Sequence, residues 1–489
     1  MKRQAGVLLA ISSLPGQQGI GDFGKEAYQF IDLLKKSKFR IWQILPLNPL
    51  GFGNSPYQPY SSKAMDELYI SLDFLHEEGL LEAVPPFNND KSVTEYQEVR
   101  IYKEKYLKAA YRNYVSKKDH KEFNAWVKRN TWVVDYAIFV TFKKHNNLMM
   151  WPLWKQEMKN YIHDKKLDLS PYQDEINYEK WLQFVLFSQW EKLHDYAKEN
   201  GISIMGDLPF YVGIDSLDVW QNQQDFLLNP DGTPSFIAGV PPDYFSRTGQ
   251  RWGNPIYNWE NIKKENFEFW IDRLDFNSQV FDIIRIDHFR AFDTYWKIPE
   301  SCPTAEVGEW VKAPGYEFFD KLYERLPNIN IVAEDLGDLF PSVLELRDHY
   351  NLPGMNILQF TFDYNKYEYG NNDRANQIIY TGTHDNETIN GWVNRLSEED
   401  HDKLVAKLNR LGYFDQNISK DFIRLALDNI ANYALLPMQD ILGLGNEARM
   451  NTPSTIGSPD WEWKLTSFDK FEDQIESLRT LIERSNRYN

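Results

Sequence analysis

Phe281-Asp-Ile-Ile-Arg-Ile-Asp-His288 decides the fold. A short apolar, β-branched run breaks off at Arg285, Asp287 and His288. Periodicity alone does not separate a buried strand from a buried helix. The brevity of the run and the charge that follows at once favour a strand of the parallel type. Two further stretches repeat the pattern. Asn328-Ile-Asn-Ile-Val-Ala-Glu-Asp335 ends in Glu334 and Asp335, and Gln377-Ile-Ile-Tyr-Thr-Gly-Thr-His-Asp-Asn386 ends in His384, Asp385 and Asn386. One such end is readily a salt-bridged cap on a core strand. Three in series argue for a site, because α/β barrels keep their chemistry at the C-terminal ends of their strands.

Five more runs complete a set of eight: 6–10, 41–47, 202–209, 355–362 and 433–440. Helical patterns separate them, starting with Ala27, Phe30, Ile31 and Leu34 on one face of 25–36. The expectation is one α/β (β/α)8 TIM barrel spanning residues 1–489, with large helical and loop insertions. Residues 66–200 read as a mainly helical inserted subdomain between strands two and three, ended by Asn200-Gly201. Residues 210–280 read as an insertion between strands three and four, irregular to about residue 270 and carrying a substrate-covering loop at 239–255. Gly239, Gly249 and Gly253 give that loop unusual backbone angles, and Tyr244, Phe245, Trp252 and Gln250 give it ring faces and an amide. A tail stripe of Phe471, Ile475, Leu478 and Ile482 predicts a closing helix.

Composition narrows the function. A net charge of −17 argues against nucleic acid or an anionic membrane as partner and suits a neutral ligand. The chain carries 16 Trp, 28 Tyr and 30 Phe, and flat rings on loops pack against the apolar faces of sugars. A single cysteine, Cys302, excludes an internal disulfide framework and fits a reducing, cytoplasmic setting. The apolar start at 5–11 reads as the first strand instead of a signal peptide. No apolar run approaches the ~18 residues of a membrane span.

Carboxylates converging at a barrel mouth suit glycosidic-bond chemistry. The transition state is positive and oxocarbenium-like, so one carboxylate stabilises it while a protonated carboxyl donates to the departing oxygen. No cofactor and no metal are expected.

On seven blocks the chain resembles the 4-α-glucanotransferases, the amylomaltases or disproportionating enzymes related to the α-amylase superfamily. The blocks are Ser55-Pro-Tyr-Gln58, Gly206-Asp-Leu-Pro-Phe-Tyr-Val212, 239–255, Arg285-Ile-Asp-His-Phe-Arg290, Ala333-Glu-Asp-Leu-Gly337, Thr383-His-Asp-Asn386 and Pro437-Met-Gln-Asp440. The resemblance implies an α-1,4-glucan and glucose as substrates. It implies Asp287 as nucleophile, Glu334 as general acid and then base, and Asp385 as the carboxylate that binds sugar hydroxyls. It implies Arg285 as the cation that keeps Asp287 ionised and oriented. Tyr57, Asp207, Trp252 and His384 match positions that hold glucose units, and Gln250, His288 and Asn386 join them as candidate substrate-binding residues. Two departures lie near the C-terminus. Thr452-Pro-Ser-Thr455 stands where the family usually has a glycine, and Asp460-Trp-Glu-Trp-Lys464 replaces the more usual Asn…Arg ending.

Three alternatives stay open at this level. A metal-dependent barrel hydrolase would use His288, Glu334, His384 and Asp385 as ligands, although the first strand ends without a His or carboxylate pair. A non-catalytic glucan-binding protein has little reason to carry three intact carboxylates. A hydrolase of the same superfamily differs only in whether water or a sugar hydroxyl reaches the intermediate.

Overall fold

The computed structural model describes residues 3–117, 119–242, 246–337, 339–370 and 373–488. In chain order the strands are β1 (Gln4–Leu8), β2 (Ile41–Gln43), β3 (Ser203–Leu208), β4 (Phe236–Val240), β5 (Gln250–Pro255) and β6 (Ile283–Ile286). They continue as β7 (Thr294–Pro299), β8 (Glu309–Lys312), β9 (Ile331–Ala333), β10 (Gly354–Ile357), β11 (Gln377–Tyr380) and β12 (Tyr433–Pro437). Eight of them form one parallel sheet in the order β10-β11-β12-β1-β2-β3-β6-β9. A bond from Ala333 N to the Pro353 carbonyl, 2.9 Å, joins its two edges and nearly closes the barrel. The strands are buried on both faces, which is why they read as unbroken apolar runs rather than alternating ones. Gly206 in β3 makes room for its neighbour, since a Cβ there would lie 2.2 Å from the Phe281 ring.

Several strands are shorter than expected. The sixth barrel strand stops at Ile357 and the chain turns into helix Leu358–Thr361. Thr361 Oγ1 closes that turn on Asn356 Oδ1 at 2.7 Å and on the Ile357 carbonyl at 3.2 Å. The eighth ends at Pro437, and Met438–Ile441 is helical. There the buried Asp440 carboxylate accepts Thr381 Oγ1 at 2.6 Å and Ile389 N at 2.8 Å, so it braces the loop after β11 from below.

Between β2 and β3 lie helices Tyr96–Val115, Lys121–Arg129, Trp132–His145 and Gln173–Glu199. The last packs on the barrel itself: the Trp190 ring sits 5.2 Å from Phe23 and 5.9 Å from Phe281. Gly201 then turns the chain at φ +71°.

The expectation of an irregular segment from residue 210 to about 270 is corrected. β4 and β5 form an antiparallel hairpin and join β7 and β8 in a second sheet of order β5-β4-β7-β8. Helix Glu268–Val280 then leads back into β6. Gly249 and Gly253 take the expected left-handed angles, φ +70° and +81°. Gly239 serves close approach instead, because a Cβ there would lie 2.1 Å from the Gln250 carbonyl. The tail stripe falls on helices Asp469–Glu472 and Ile475–Arg484, with Phe471, Leu478 and Ile482 buried.

Candidate active site

The parallel strands deliver their C-terminal ends to one mouth. Asp287 follows β6 directly, Glu334 follows β9, and Asp385 lies in the loop after β11. All three line one cleft of about 610 Å³, together with Tyr57, Gln250, Trp252, Arg285, His288 and His384. Hairpin β4–β5 supplies one wall through Gln250, Arg251, Trp252 and Asn254. Tyr244 and Phe245, expected to offer ring faces there, lie outside the described residues.

One guanidinium organises the floor. Arg285 Nη2 donates to Asp287 Oδ1 at 3.0 Å and to Asp207 Oδ2 at 3.0 Å. Tyr57 hydroxyl donates to the same Asp207 oxygen at 2.6 Å and lies 3.0 Å from His384 Nε2. Burial, and then the charge of Asp207, push the Tyr57 phenol well above its usual range, so it remains a donor. Asp207 does not line the cleft: it is 2 % exposed and sits beneath Arg285 and Tyr57.

Glu334 is held by backbone. His288 N donates to Glu334 Oε2 at 2.7 Å and Leu336 N to Oε1 at 3.1 Å. His288 itself takes the left-handed angles φ +54° and ψ 44°. That turn aims its amide at Glu334 and sets its ring edge-on to Trp252, 4.9 Å away. Burial, with help from Arg290, lowers the His288 imidazole to about 3, so it is neutral across the physiological range. Burial also lowers His384.

Burial raises Glu334, while Arg285 and the two backbone bonds resist. Burial raises Asp287 well above the usual carboxylate range too, with Asp207, Glu334 and Asp385 adding to the effect against Arg285. Arg285 favours the ionised form of Asp287 but divides one positive charge between two carboxylates, and burial outweighs it.

Asn386 faces away from the cleft. Its Oδ1 accepts Thr383 N and Thr383 Oγ1, both at 2.9 Å, and so shapes the loop that carries Asp385. Gln250 lines the cleft and accepts Trp252 Nε1 at 3.2 Å. Asp335, beside Glu334, points into the barrel wall, bonded to Arg347 and, at 2.7 Å, to Met355 N. The strand-end reading missed Tyr211, Asn451 and Trp461, which also line the cleft. Trp461 packs on Tyr57 at 5.7 Å and on His384 at 5.8 Å. Among the described residues no group of three or more His, Cys, Asp and Glu is placed to hold a metal ion, and no helix is long and apolar enough to cross a membrane.

A parallel barrel whose strand ends bring three carboxylates, an arginine and stacked rings into one cleft defines the class of barrel enzymes that act on glycosidic bonds. The chain belongs to the 4-alpha-glucanotransferase family, whose sequence model matches residues 9–469. It is 44% identical to a 4-alpha-glucanotransferase of Synechocystis sp. over 98% of this chain and 97% of that one. It is 41% identical to one of Aquifex aeolicus over 98% of both chains. The structure superposes on the amylomaltase from Streptococcus agalactiae in complex with acarbose with a TM-score of 0.94, 36% identity and full coverage of both chains. The amylomaltase from Corynebacterium glutamicum, at 17% identity and TM-score 0.79 over 75% of that chain, shares the fold. The protein is an enzyme that transfers segments of α-1,4-glucans.

Proposed function

We propose that Asp287, Glu334 and Asp385 carry this transfer by a retaining double displacement. The observation that carries the reading is the meeting of three strand-end carboxylates in one cleft around Arg285. In the first step Asp287 attacks the anomeric carbon while Glu334 gives its proton to the departing O4 of the shortened glucan. A β-glucosyl-enzyme and a free chain end result. In the second step the 4-hydroxyl of another glucan or of glucose gives its proton to Glu334 and attacks the same carbon. Asp287 leaves as carboxylate and the α configuration returns.

Asp287 and Glu334 divide the acid and nucleophile roles between them. The pair must enter the cycle with one proton between them, and direct contact with Arg285 selects Asp287 as the ionised partner. Asp385 binds the sugar hydroxyls of the distorted ring. Tyr57, Gln250, Trp252, His288 and His384 hold the flanking glucose units, whereas Asp207 and Asn386 support them from behind. Trp252 closes the wall beside His288, which limits water at the glucosyl-enzyme and favours a sugar acceptor. A cytoplasmic setting rests on the single cysteine, Cys302.

Incubation with maltotriose and separation of the products tests the reading. Transfer yields both shorter and longer oligosaccharides with the number of reducing ends conserved. A steady rise in reducing ends with no longer product would identify a hydrolase instead.

A further inference from the structure

Asp385 is gripped from a segment far along the chain. Asn451 Nδ2 donates to Asp385 Oδ1 at 2.6 Å. Arg449 Nη2 donates to the Asp385 carbonyl at 2.7 Å, and Arg449 Nε to the Asn451 carbonyl at 2.8 Å. Asn451 N donates to the His384 carbonyl at 3.0 Å. The segment is itself anchored, with Trp461 N on the Met450 carbonyl at 2.7 Å and Thr452 N on Asp460 Oδ1 at 2.9 Å.

Such a grip has work to do. The Asp385 side chain is 47% exposed, so packing alone does not choose among its staggered rotamers. The carboxylates around it, Asp287 foremost, repel its charge. Opposing them are Arg285 on the floor, Arg449 behind its backbone and His384 Nε2, 3.4 Å from Oδ2. A short bond from a neutral amide to a charged oxygen is strong enough to select one rotamer, and the carboxylate acceptor fixes which way the amide points.

We propose that Asn451 is a positioning residue for glucan transfer: its amide holds Asp385 Oδ1 so that Oδ2 is presented to the sugar, while Arg449 fixes the backbone beneath. This rests on the reading of Asp385 given above. The residue lies outside the acid-tipped strands and makes no use of its own acid–base chemistry. It acts through Asp385.

The test is a double-mutant cycle on the full-length enzyme with maltotriose. Asn451→Ala is expected to lower kcat by about 10- to 100-fold, the cost of a misplaced catalytic group, with KM within about two-fold. In the Asp385→Asn background the same change is expected to cost less than about two-fold, because its target is already disabled. Multiplicative losses would overturn the proposal. An Asp385→Asn enzyme near wild-type rate would instead overturn the reading of Asp385, so the two failures are distinguishable.

Asn451→Asp supplies a second readout. The introduced acid matches Asn in shape but donates to Asp385 only while protonated. Around this segment lie the carboxylates Asp385, Asp460 and Glu387 and the cations Arg449 and Arg395, with His384 beside Asp385. The variant is expected to approach wild-type kcat at the acid end of the profile and to lose it as pH rises. A loss equal at every pH marks a purely structural role and overturns the proposal.

Discussion

Arg285 and Asp207 form an ion pair that solvent does not reach: their charged atoms are 3.0 Å apart and their side chains 4% and 0% exposed. The same guanidinium nitrogen also holds Asp287, whose side chain is 32% exposed toward the cleft. A buried charge is costly unless paired, so Asp207 makes a fixed cation possible beneath Asp287. Asp207→Asn leaves that cation short of one partner. The expected result is a loss of about 3–5 kcal/mol of stability together with reduced kcat. Thermal unfolding and turnover measured on one preparation check both, and an unchanged unfolding midpoint would sink the argument.

Replacing Asp287 by Asn removes the group proposed to form the covalent bond. Turnover of maltotriose should fall by several powers of ten with the fold intact. Retention of more than about a tenth of wild-type kcat would assign the nucleophile elsewhere, since acid–base assistance alone is worth ~10²–10⁴.

The pH dependence follows from burial of the pair. Glu334 is raised from an ordinary value of 4.5, so its protonated form persists upward and is lost as pH rises through the raised value. Transfer should therefore show an alkaline limb, and a flat profile up to about pH 9 would contradict the proton donor assigned here. Stability carries the same sign. The folded chain binds a proton that the unfolded chain has released, so Glu334 costs stability as pH climbs above 4.5. The thermal midpoint of Glu334→Gln relative to wild type should accordingly improve with rising pH, even if the amide loses one backbone partner.

Ser454 takes a left-handed backbone, with φ +69°. The left-handed backbone costs a residue with a side chain ~1–2 kcal/mol, partly offset by the extra entropy that glycine gives the unfolded chain. Ser454→Gly should raise stability by up to about 1 kcal/mol, and Ser454→Val should lower it. Calorimetry on the two variants decides; equal midpoints would show that the turn is unstrained.

Trp252 should influence the fate of the glucosyl-enzyme. Its ring meets His288 at 4.9 Å, and its carbonyl accepts Gln58 Nε2 at 2.9 Å, joining the hairpin to the loop after β2. Trp252→Ala is expected to raise the ratio of hydrolysis to transfer several-fold, read as new reducing ends against glucose released. An unchanged partition would place water exclusion in other residues.

The barrel was legible because parallel strands buried on both faces leave continuous apolar runs, and the carboxylates because each abruptly ends such a run. The hairpin was not. β4 and β5 pair with each other, but the second partner of β4, β7, arrives only after β6, and pairing across that distance leaves no local pattern. Asp207 was found as a strand-end acid, but its burial beneath Arg285 depends on packing between neighbouring strands. Asn386 sits in the right motif yet turns its oxygen onto Thr383. Asn451 carries no charge and follows no strand, so the strand-end pattern does not mark it. Its role appears only where the last part of the chain folds back onto the loop after β11.

The second sheet has an implication for exchanging parts between relatives. Strands β4 and β5 come from the connection between β3 and β6, and β7 and β8 from the connection between β6 and β9. The β4–β7 pairing sews these two crossovers together, with β6 and Asp287 between them in the chain. A chimaera that imports the hairpin alone would bring a seam without its matching edge. Grafting this wall of the cleft therefore calls for residues 210–312 as one cassette, the strand that leads to Asp287 included.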